Sequence, residues 1–567
     1  MNFKKPYFYP LLVFLIPFIV YLPTLWGVFY YDDNVVFLGH QVKRLAENPF
    51  LVFSKDIHIV PGVGTPRSLH VFFLLVLYKV FGANPLPYHL FNLLFHSLTG
   101  VLIFLFLGRL TGKPNIALLA GIIFGLHPIH VENITFVTLG GTDLFYGFFS
   151  ILSLFLYVLF RDKILKGRRN LLLLGLSVIA YFFSMLSKES AVTFIILYPL
   201  TEWLLETPSE SRLQTPERSR WGYLWALPHL IALLSMKWDY LMAGTSIAVS
   251  AVGVGTANIA RGRGIEDVIL NLGFFIKSVT LPYPLSPFIK EFGNNVVLYS
   301  FALLSVTVVV LGIVLRKRLI AYGALWFIAT SLPYLLVPLL ETNLTITAER
   351  YIYAPSIGFA ILLSSALMGL SRKRKLLKSL LAFIFLGYSI IGVSYFFSAW
   401  RSESAFWRCA IKRNPDYVSG YLSLAGIELA EGNILGAKTL IMQGLYKPKG
   451  MPAEFSQAAY FVGNIALMEG NVMTAESYYL LSLRYGPYEF SYIELGFLYL
   501  NTGNPERAKW AFENALGFPA QNLRAVYGLA KSYEMLGDKE KARLYALRVY
   551  ERARDERLRA AASEILR

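Results

Sequence analysis

Long apolar runs separated by short polar loops fill the chain as far as residue 397, and a shorter rhythm follows. The runs, mainly apolar over about 14 to 22 residues, lie at 11–29, 89–107, 115–130, 144–160, 171–186, 190–205, 221–234, 296–315, 319–340, 353–370 and 376–397. A helix needs about 20 such residues to cross the hydrocarbon core, so the pattern predicts an all-α polytopic membrane protein. Two further segments, 69–81 and 268–281, would raise eleven spans to thirteen. Charge decides against counting them. With eleven spans and the N-terminus inside, Arg109 and Lys113, the loop 161–169, Arg316-Lys317-Arg318 and Arg372-Lys373-Arg374-Lys375 all face the cytoplasm, where inner loops concentrate Lys and Arg. If 69–81 crosses, the loop 161–169 is forced outside, so both extra segments are expected to lie at the outer interface. The first run, preceded by Lys4 and Lys5, lacks a small-residue cleavage site and reads as a retained helix.

An odd span count places everything beyond residue 397 outside the cytoplasm. There, Gly followed by Asn or Asp recurs at Gly432-Asn433, Gly470-Asn471, Gly503-Asn504 and Gly537-Asp538, roughly 34 residues apart. Ala follows at Ala437, Ala475, Ala508 and Ala542, and an aliphatic-small pair precedes at Leu424-Ala425, Val462-Gly463, Leu495-Gly496 and Leu529-Ala530. The shared register resembles tetratricopeptide repeats, about four units, with small residues where paired helices approach. Such an α-solenoid offers a concave groove to a peptide or partner protein. The plain alternative is four helical hairpins that bind nothing. The expected domains are a transmembrane domain, 1–399, and an extracytoplasmic repeat domain, 400–567.

Composition excludes an ordinary soluble protein: 55% of the 567 residues are hydrophobic and 16% charged, and the mean hydropathy is +0.51. Of the +17 net charge only about +3 lies beyond Ala399, so the excess is a topology signal and no nucleic-acid partner is expected. The single cysteine, Cys409, rules out an intrachain disulfide and a multi-cysteine metal site.

Candidate chemistry gathers on one side of this topology. Asp32 and Asp33, in Phe29-Tyr30-Tyr31-Asp32-Asp33-Asn34, follow the first run, where a carboxylate can stay charged at the interface and act as a base toward a lipid-borne substrate. Arg67, His127, His130, Glu132, Asp143, Lys188, Glu189, Glu349 and Arg350 fall at outer ends of other runs, with Tyr351 opening an aromatic belt. Ionisable groups beside apolar helices are costly unless paired or solvated, so their convergence is itself a site hypothesis. Each has a plainer alternative. Asp-Asp suits a solvated loop, Lys188-Glu189 and Glu349-Arg350 suit local ion pairs, and the histidines suit interfacial anchors. His127-Pro128-Ile129-His130-Val131-Glu132 also has a spacing that can hold a metal. No cofactor is expected, a divalent metal being the disfavoured alternative. As a set these groups suit a reaction in which cations hold the phosphate of a lipid-carried donor and a carboxylate takes a proton from the acceptor.

Six stretches, in order, resemble one family: Tyr31-Asp32-Asp33-Asn34; Asn84-Pro85-Leu86-Pro87-Tyr88-His89-Leu90-Phe91-Asn92 with its continuation to His96; His127 to Glu132; Leu186-Ser187-Lys188-Glu189 with Ala191-Val192-Thr193; Ala348-Glu349-Arg350-Tyr351-Ile352-Tyr353-Ala354-Pro355-Ser356-Ile357-Gly358-Phe359; and Trp400-Arg401 with Phe406-Trp407-Arg408, leading through Asn414-Pro415 into the repeats. The family is the GT-C polyprenyl-linked glycosyltransferases, and within it the transmembrane and tetratricopeptide-repeat O-mannosyltransferase-like proteins. The resemblance covers nearly the whole length. It implies a GT-C membrane fold carrying a repeat solenoid, and transfer of a sugar, mannose first, from a polyprenyl-phosphate donor to Ser or Thr of an exported protein outside the cytoplasm. By the same resemblance Asp32 serves as the base with Asp33 assisting, and Arg67, Lys188 and Arg350 contact the donor phosphate. Where relatives often carry Gly-Arg, a short residue and an acid, this chain reads Gly140-Gly141-Thr142-Asp143, without the basic residue. The rival expectations are a membrane-anchored repeat scaffold that recruits a protein partner, and a transferase acting on lipid, polysaccharide or a larger glycan.

Overall fold

The computed structural model describes residues 8–54, 67–205, 222–235, 264–287, 295–336, 347–369, 374–448, 450–518, 522–553 and 555–567. Of the features read above, Lys4, Lys5, Trp221, residues 337–340, residue 370 and Arg372-Lys373 lie outside these. Among the described residues every regular element is helical, and the chain divides into two compact units, Met1–Cys409 and Ala410–Arg567.

In the first unit the elements that carry polar groups are α1 (Asp32–Leu38), α2 (Ser68–Phe81), α3 (Pro85–Thr111), α4 (Val131–Thr135), α5 (Leu139–Ile164), α6 (Leu171–Ser187), α7 (Leu197–Leu205), α8 (Arg318–Leu335) and α9 (Tyr353–Gly369). Their ends follow local chemistry. Helix α3 starts where Asn84 Oδ1 accepts the Leu86 N–H with Pro85 at the first position, and stops at Gly112, which takes the left-handed conformation that glycine allows. Helices α8 and α9 approach closely because both are glycine at the contact: a Cβ on Gly323 would stand 2.7 Å from the Gly358 carbonyl oxygen.

Among the described residues, five helical stretches are long and apolar enough to cross a membrane: Pro85–Thr111, Leu139–Ile164, Asn295–Val314, Glu349–Gly369 and Lys375–Trp400. A sixth is the pair Pro114–Leu126 and Pro128–Thr135, bent by 48°, where Pro128 has no N–H to continue the helix. The other apolar runs are helical but shorter. Run 11–29 is the helix Phe8–Val20 followed by a 3-10 turn at Leu22–Trp26, run 171–186 is α6 with 17 residues, and run 190–205 is the 3-10 segment Glu189–Ile196 continued by α7. The two extra segments are also helices, α2 with 14 residues and Ile265–Thr280 with 16. Apolar composition runs through such turns, so a hydropathy run overstates helix length wherever a 3-10 segment interrupts it.

The second unit is built of the helix pairs Val418–Ala430 with Ile434–Leu445, Pro452–Met468 with Val472–Tyr485, Glu489–Asn501 with Pro505–Leu516, and Leu523–Met535 with Lys539–Arg552, closed by Glu556–Leu566. The repeating residues fall where the resemblance to tetratricopeptide repeats requires. Gly432, Gly470, Gly503 and Gly537 turn between the paired helices at φ of +75° to +83°, a conformation costly for any other residue. The residue after each Gly then starts the next helix: Asn433 Oδ1 accepts the Gly436 N–H at 2.9 Å and Asp538 Oδ1 that of Lys541 at 3.1 Å. Ala437, Ala475, Ala508 and Ala542 are buried.

Candidate active site

The two adjacent aspartates are treated differently by the fold. Asp33 is fully buried. Its Oδ1 accepts the Thr138 N–H at 2.8 Å and the Thr138 hydroxyl at 2.7 Å, and its Oδ2 accepts the N–H groups of Val137 at 3.2 Å and Tyr30 at 3.4 Å. These bonds pin the loop before α1 to the turn before α5. Asp32 takes none of these donors; it is part-exposed and faces the positive charge of Arg350. Burial pushes Asp32 up to about 6, opposed by Arg350, and pushes Asp33 up to about 7, opposed by its four hydrogen bonds. Tyr31, just before them, has φ +40°, a strained conformation for a bulky residue.

Three cation–carboxylate pairs stand around a pair of tyrosines. Arg67, in the left-handed conformation at the start of α2, donates to Glu189 through Nη2 at 2.9 Å and Nε at 3.4 Å. Lys188, closing α6, donates to Asp143 of α5 at 2.6 Å. Arg350 donates through Nη1 to Glu132 of α4 at 2.6 Å, and its backbone N–H reaches the other oxygen of Glu132 at 2.9 Å. Tyr351 lies between two of the cations, with Arg350 Cζ 5.0 Å and Lys188 Nζ 5.2 Å from its ring. Tyr334 of α8 stacks on it at 4.5 Å and donates to Asp143 Oδ1 at 3.2 Å. Asp143 feels the charges of Lys188, Arg350 and Arg67, which draws the three pairs into one cluster.

The electrostatics follow from burial beside opposite charge. Burial pulls Lys188 down to about 8, against the attraction of Asp143. For Glu189, burial acts upward and is outweighed by Arg67 and then Lys188, which hold it at about 2. The cluster therefore keeps charged groups of both signs in a largely dry environment. Arg67 and Arg350 remain 13% and 12% exposed along their side chains, so both can be reached. Arg350 uses one side-chain nitrogen on Glu132 and Arg67 two on Glu189; a guanidinium carries five N–H donors, so capacity remains for phosphate oxygens.

The structure thus brings together Asp32, Arg67, Glu132, Asp143, Lys188, Glu189, Arg350 and Tyr351. It does not bring His127 and His130 to them. His127 Nε2 hydrogen-bonds the Val279 carbonyl at 2.9 Å and its Nδ1 accepts the Ile129 N–H. His130 Nε2 meets Ser356 Oγ at 2.9 Å, its ring packed among His96, Phe124 and Tyr353. Only Glu132 of the His-x-x-His-x-Glu stretch faces the cations, the two imidazoles being taken up by the Val279 carbonyl and the Ser356 hydroxyl. Glu349 is buried and accepts the Ser286 N–H at 2.9 Å. Thr138, Tyr334 and His70 were not singled out by sequence; nothing local marks the first two, and His70 is signalled only by following Arg67 at three residues.

Residues 75–247 match the family described as Dolichyl-phosphate-mannose-protein mannosyltransferase. The chain is similar to Protein O-mannosyl-transferase Tmtc1 of Drosophila melanogaster, 29% identical over 33% of this chain and 22% of that protein. It is also similar to Protein O-mannosyl-transferase TMTC4 of Homo sapiens, 26% identical over 59% of this chain and 51% of that protein. The chain thus spans about half or less of the length of these curated relatives. The crystal structure of MamA protein aligns with 29% of this chain and 80% of its own, at 18% identity and a TM-score of 0.22. The motif resemblance to transmembrane O-mannosyltransferases is matched by both the family and these relatives.

Proposed function

We propose, with this similarity as premise, that the protein transfers mannose from a polyprenyl-phosphate carrier to a Ser or Thr hydroxyl of an exported protein. The observation that carries the reading is that Asp32 faces Arg350, which shares the Tyr351 ring with Lys188 and belongs with Arg67 to one cluster, the three cations coming from separate parts of the membrane unit. Asp32 takes the hydroxyl proton as the acceptor oxygen bonds to the anomeric carbon. The bond from that carbon to phosphate breaks with its electron pair passing to the phosphate oxygen, and the cations stabilise the resulting polyprenyl phosphate. A single displacement inverts the anomeric configuration. Asp33, saturated by hydrogen bonds, assists by holding the loop that presents Asp32.

The proposal includes eleven spans with the N-terminus inside, the site at the outer face and the repeats outside. Two of the basic loops support it: Arg109 pairs with Asp162, so the chain on either side of run 115–130 and run 144–160 returns to one face. The repeats present their groove to the acceptor or to a partner protein.

The test uses purified protein in nanodiscs with polyprenyl-phosphate mannose and peptides of exported proteins. The expected product is mannosylated peptide whose anomeric configuration is opposite to the donor's, lost when each Ser and Thr is replaced by Ala. Absence of transfer from every polyprenyl-phosphate sugar, with the repeats still capturing a protein, would overturn the reading in favour of a scaffold.

A further inference from the structure

Within the reading above, we propose that His70 is a further substrate-contacting residue, whose imidazole takes a hydroxyl of the donor's hexose. The imidazole is 1% exposed, and neither ring nitrogen has a hydrogen-bond partner. Most buried polar side chains are satisfied in folded proteins, and one left wholly unsatisfied beside a charged cluster has the capacity to bond a ligand there. The ring packs edge-to-face against Phe145 at 5.1 Å. It sits on the first turn of α2, three residues after Arg67, whose left-handed backbone starts that helix.

What faces the ring indicates the ligand. A Cβ placed on Gly141 would overlap His70 Nε2 and lie 3.3 Å from Asn92 Oδ1. The imidazole and the Asn92 amide therefore converge on the glycine two residues before Asp143, at the edge of the cation cluster. His70 also fills the room that any side chain at 141 would need. Burial and then the charge of Arg67 pull the imidazole down to about 3, so it is neutral. A neutral imidazole offers one donor and one acceptor, the complement of a hydroxyl; a phosphate oxygen only accepts and already has three cations nearby.

The experiment compares wild type, His70→Phe and His70→Asn in nanodiscs, measuring thermal unfolding together with KM and kcat for polyprenyl-phosphate mannose and its single-position deoxy analogues. Phe keeps the ring and removes an unsatisfied polar group, so His70→Phe is expected to unfold at or above the wild-type temperature. Its kcat/KM should nevertheless fall about tenfold, the worth of one hydrogen bond. It should also no longer discriminate against the one deoxy donor that wild type disfavours, and His70→Asn should recover part of that selectivity. Wild-type kcat/KM and selectivity in a folded His70→Phe would overturn this inference alone. Destabilisation of both variants without a change in selectivity would make the ring a packing element and overturn it as well. A wild type inactive with every donor would instead overturn the proposed function on which it rests.

Discussion

Helix α5 carries a buried ion pair at each end, and the two pairs are built differently. At the end nearer Ile164, Arg161 grips Glu202 of α7 with both arms of its fork, Nε to Oε1 at 2.6 Å and Nη2 to Oε2 at 2.8 Å, while the Tyr157 hydroxyl adds a third bond at 2.8 Å. At the other end, Lys188 meets Asp143 through one oxygen, shared with Tyr334, and Asp143 Oδ2 has no partner. A guanidinium fork saturates a carboxylate, whereas an ammonium is a point charge that leaves one oxygen open. In the first pair both oxygens of the Glu202 carboxylate are filled, and the pair joins α5 to α7. The second is open, flanked by the rings of Tyr334 and Tyr351 and by two further cation–carboxylate pairs. Burial is common to both pairs; the open carboxylate oxygen of Asp143 is what sets the second apart.

The largest expected effect comes from breaking the closed pair on one side. Glu202→Ala leaves Arg161 buried without its partner and should cost about 3–5 kcal/mol of stability, read as loss of folded protein on heating in detergent. Replacing both partners by apolar residues, Arg161→Met with Glu202→Leu, should recover most of that stability and leave transfer per folded molecule unchanged. The same double exchange at the open pair, Asp143→Leu with Lys188→Met, should also fold. Its transfer rate should fall about 10²–10³-fold, because the proposed mechanism uses that charge to stabilise the leaving phosphate. Equal effects of the two double exchanges on transfer would erase the comparison.

Within the site the same contrast separates the adjacent aspartates. Asp33→Asn turns an acceptor of four hydrogen bonds into a group that must also donate, and should cost about 1.5–3 kcal/mol of stability, measured by thermal unfolding. The smallest effect is in pH. Asp32, raised to about 6, works as a base only when ionised, so transfer per folded molecule should fall about tenfold per pH unit below that value. Stability should run the other way. Both carboxyls hold their protons more tightly in the fold than in the unfolded chain, where the value is 3.8. Their contribution is full below about 3.8 and is lost as pH rises through about 6 for Asp32 and about 7 for Asp33. Rate and unfolding temperature measured over the same pH series check both signs.

The repeats were the most legible part of the chain, because each conserved register position has a local cause: glycine for a left-handed turn at Gly432, asparagine for a helix start at Asn433, alanine for close packing at Ala437. Pairing in the membrane unit was not legible at that level. Arg350 and Glu132 are 218 residues apart in sequence, and Asp33 finds Thr138 at a separation of 105, distances over which periodicity carries no information. Sequence put the acids and bases on one side through loop charge, yet it could not say which of Asp32 and Asp33 would be saturated, since that depends on the turn at Val137 and Thr138. His127 and His130 are taken up by Val279 and Ser356, partners 152 and 226 residues away in sequence. His70 escaped notice because an unsatisfied nitrogen is a property of its surroundings.

The most direct test of Asp32 as the base is single-turnover transfer from polyprenyl-phosphate mannose by wild type and Asp32→Asn, with unfolding temperature measured on both. The account predicts a rate lower by about 10²–10⁴-fold in Asp32→Asn with an unfolding temperature at least that of wild type, since the variant removes a carboxylate that burial disfavours. A rate within a few fold of wild type in the folded variant would contradict it.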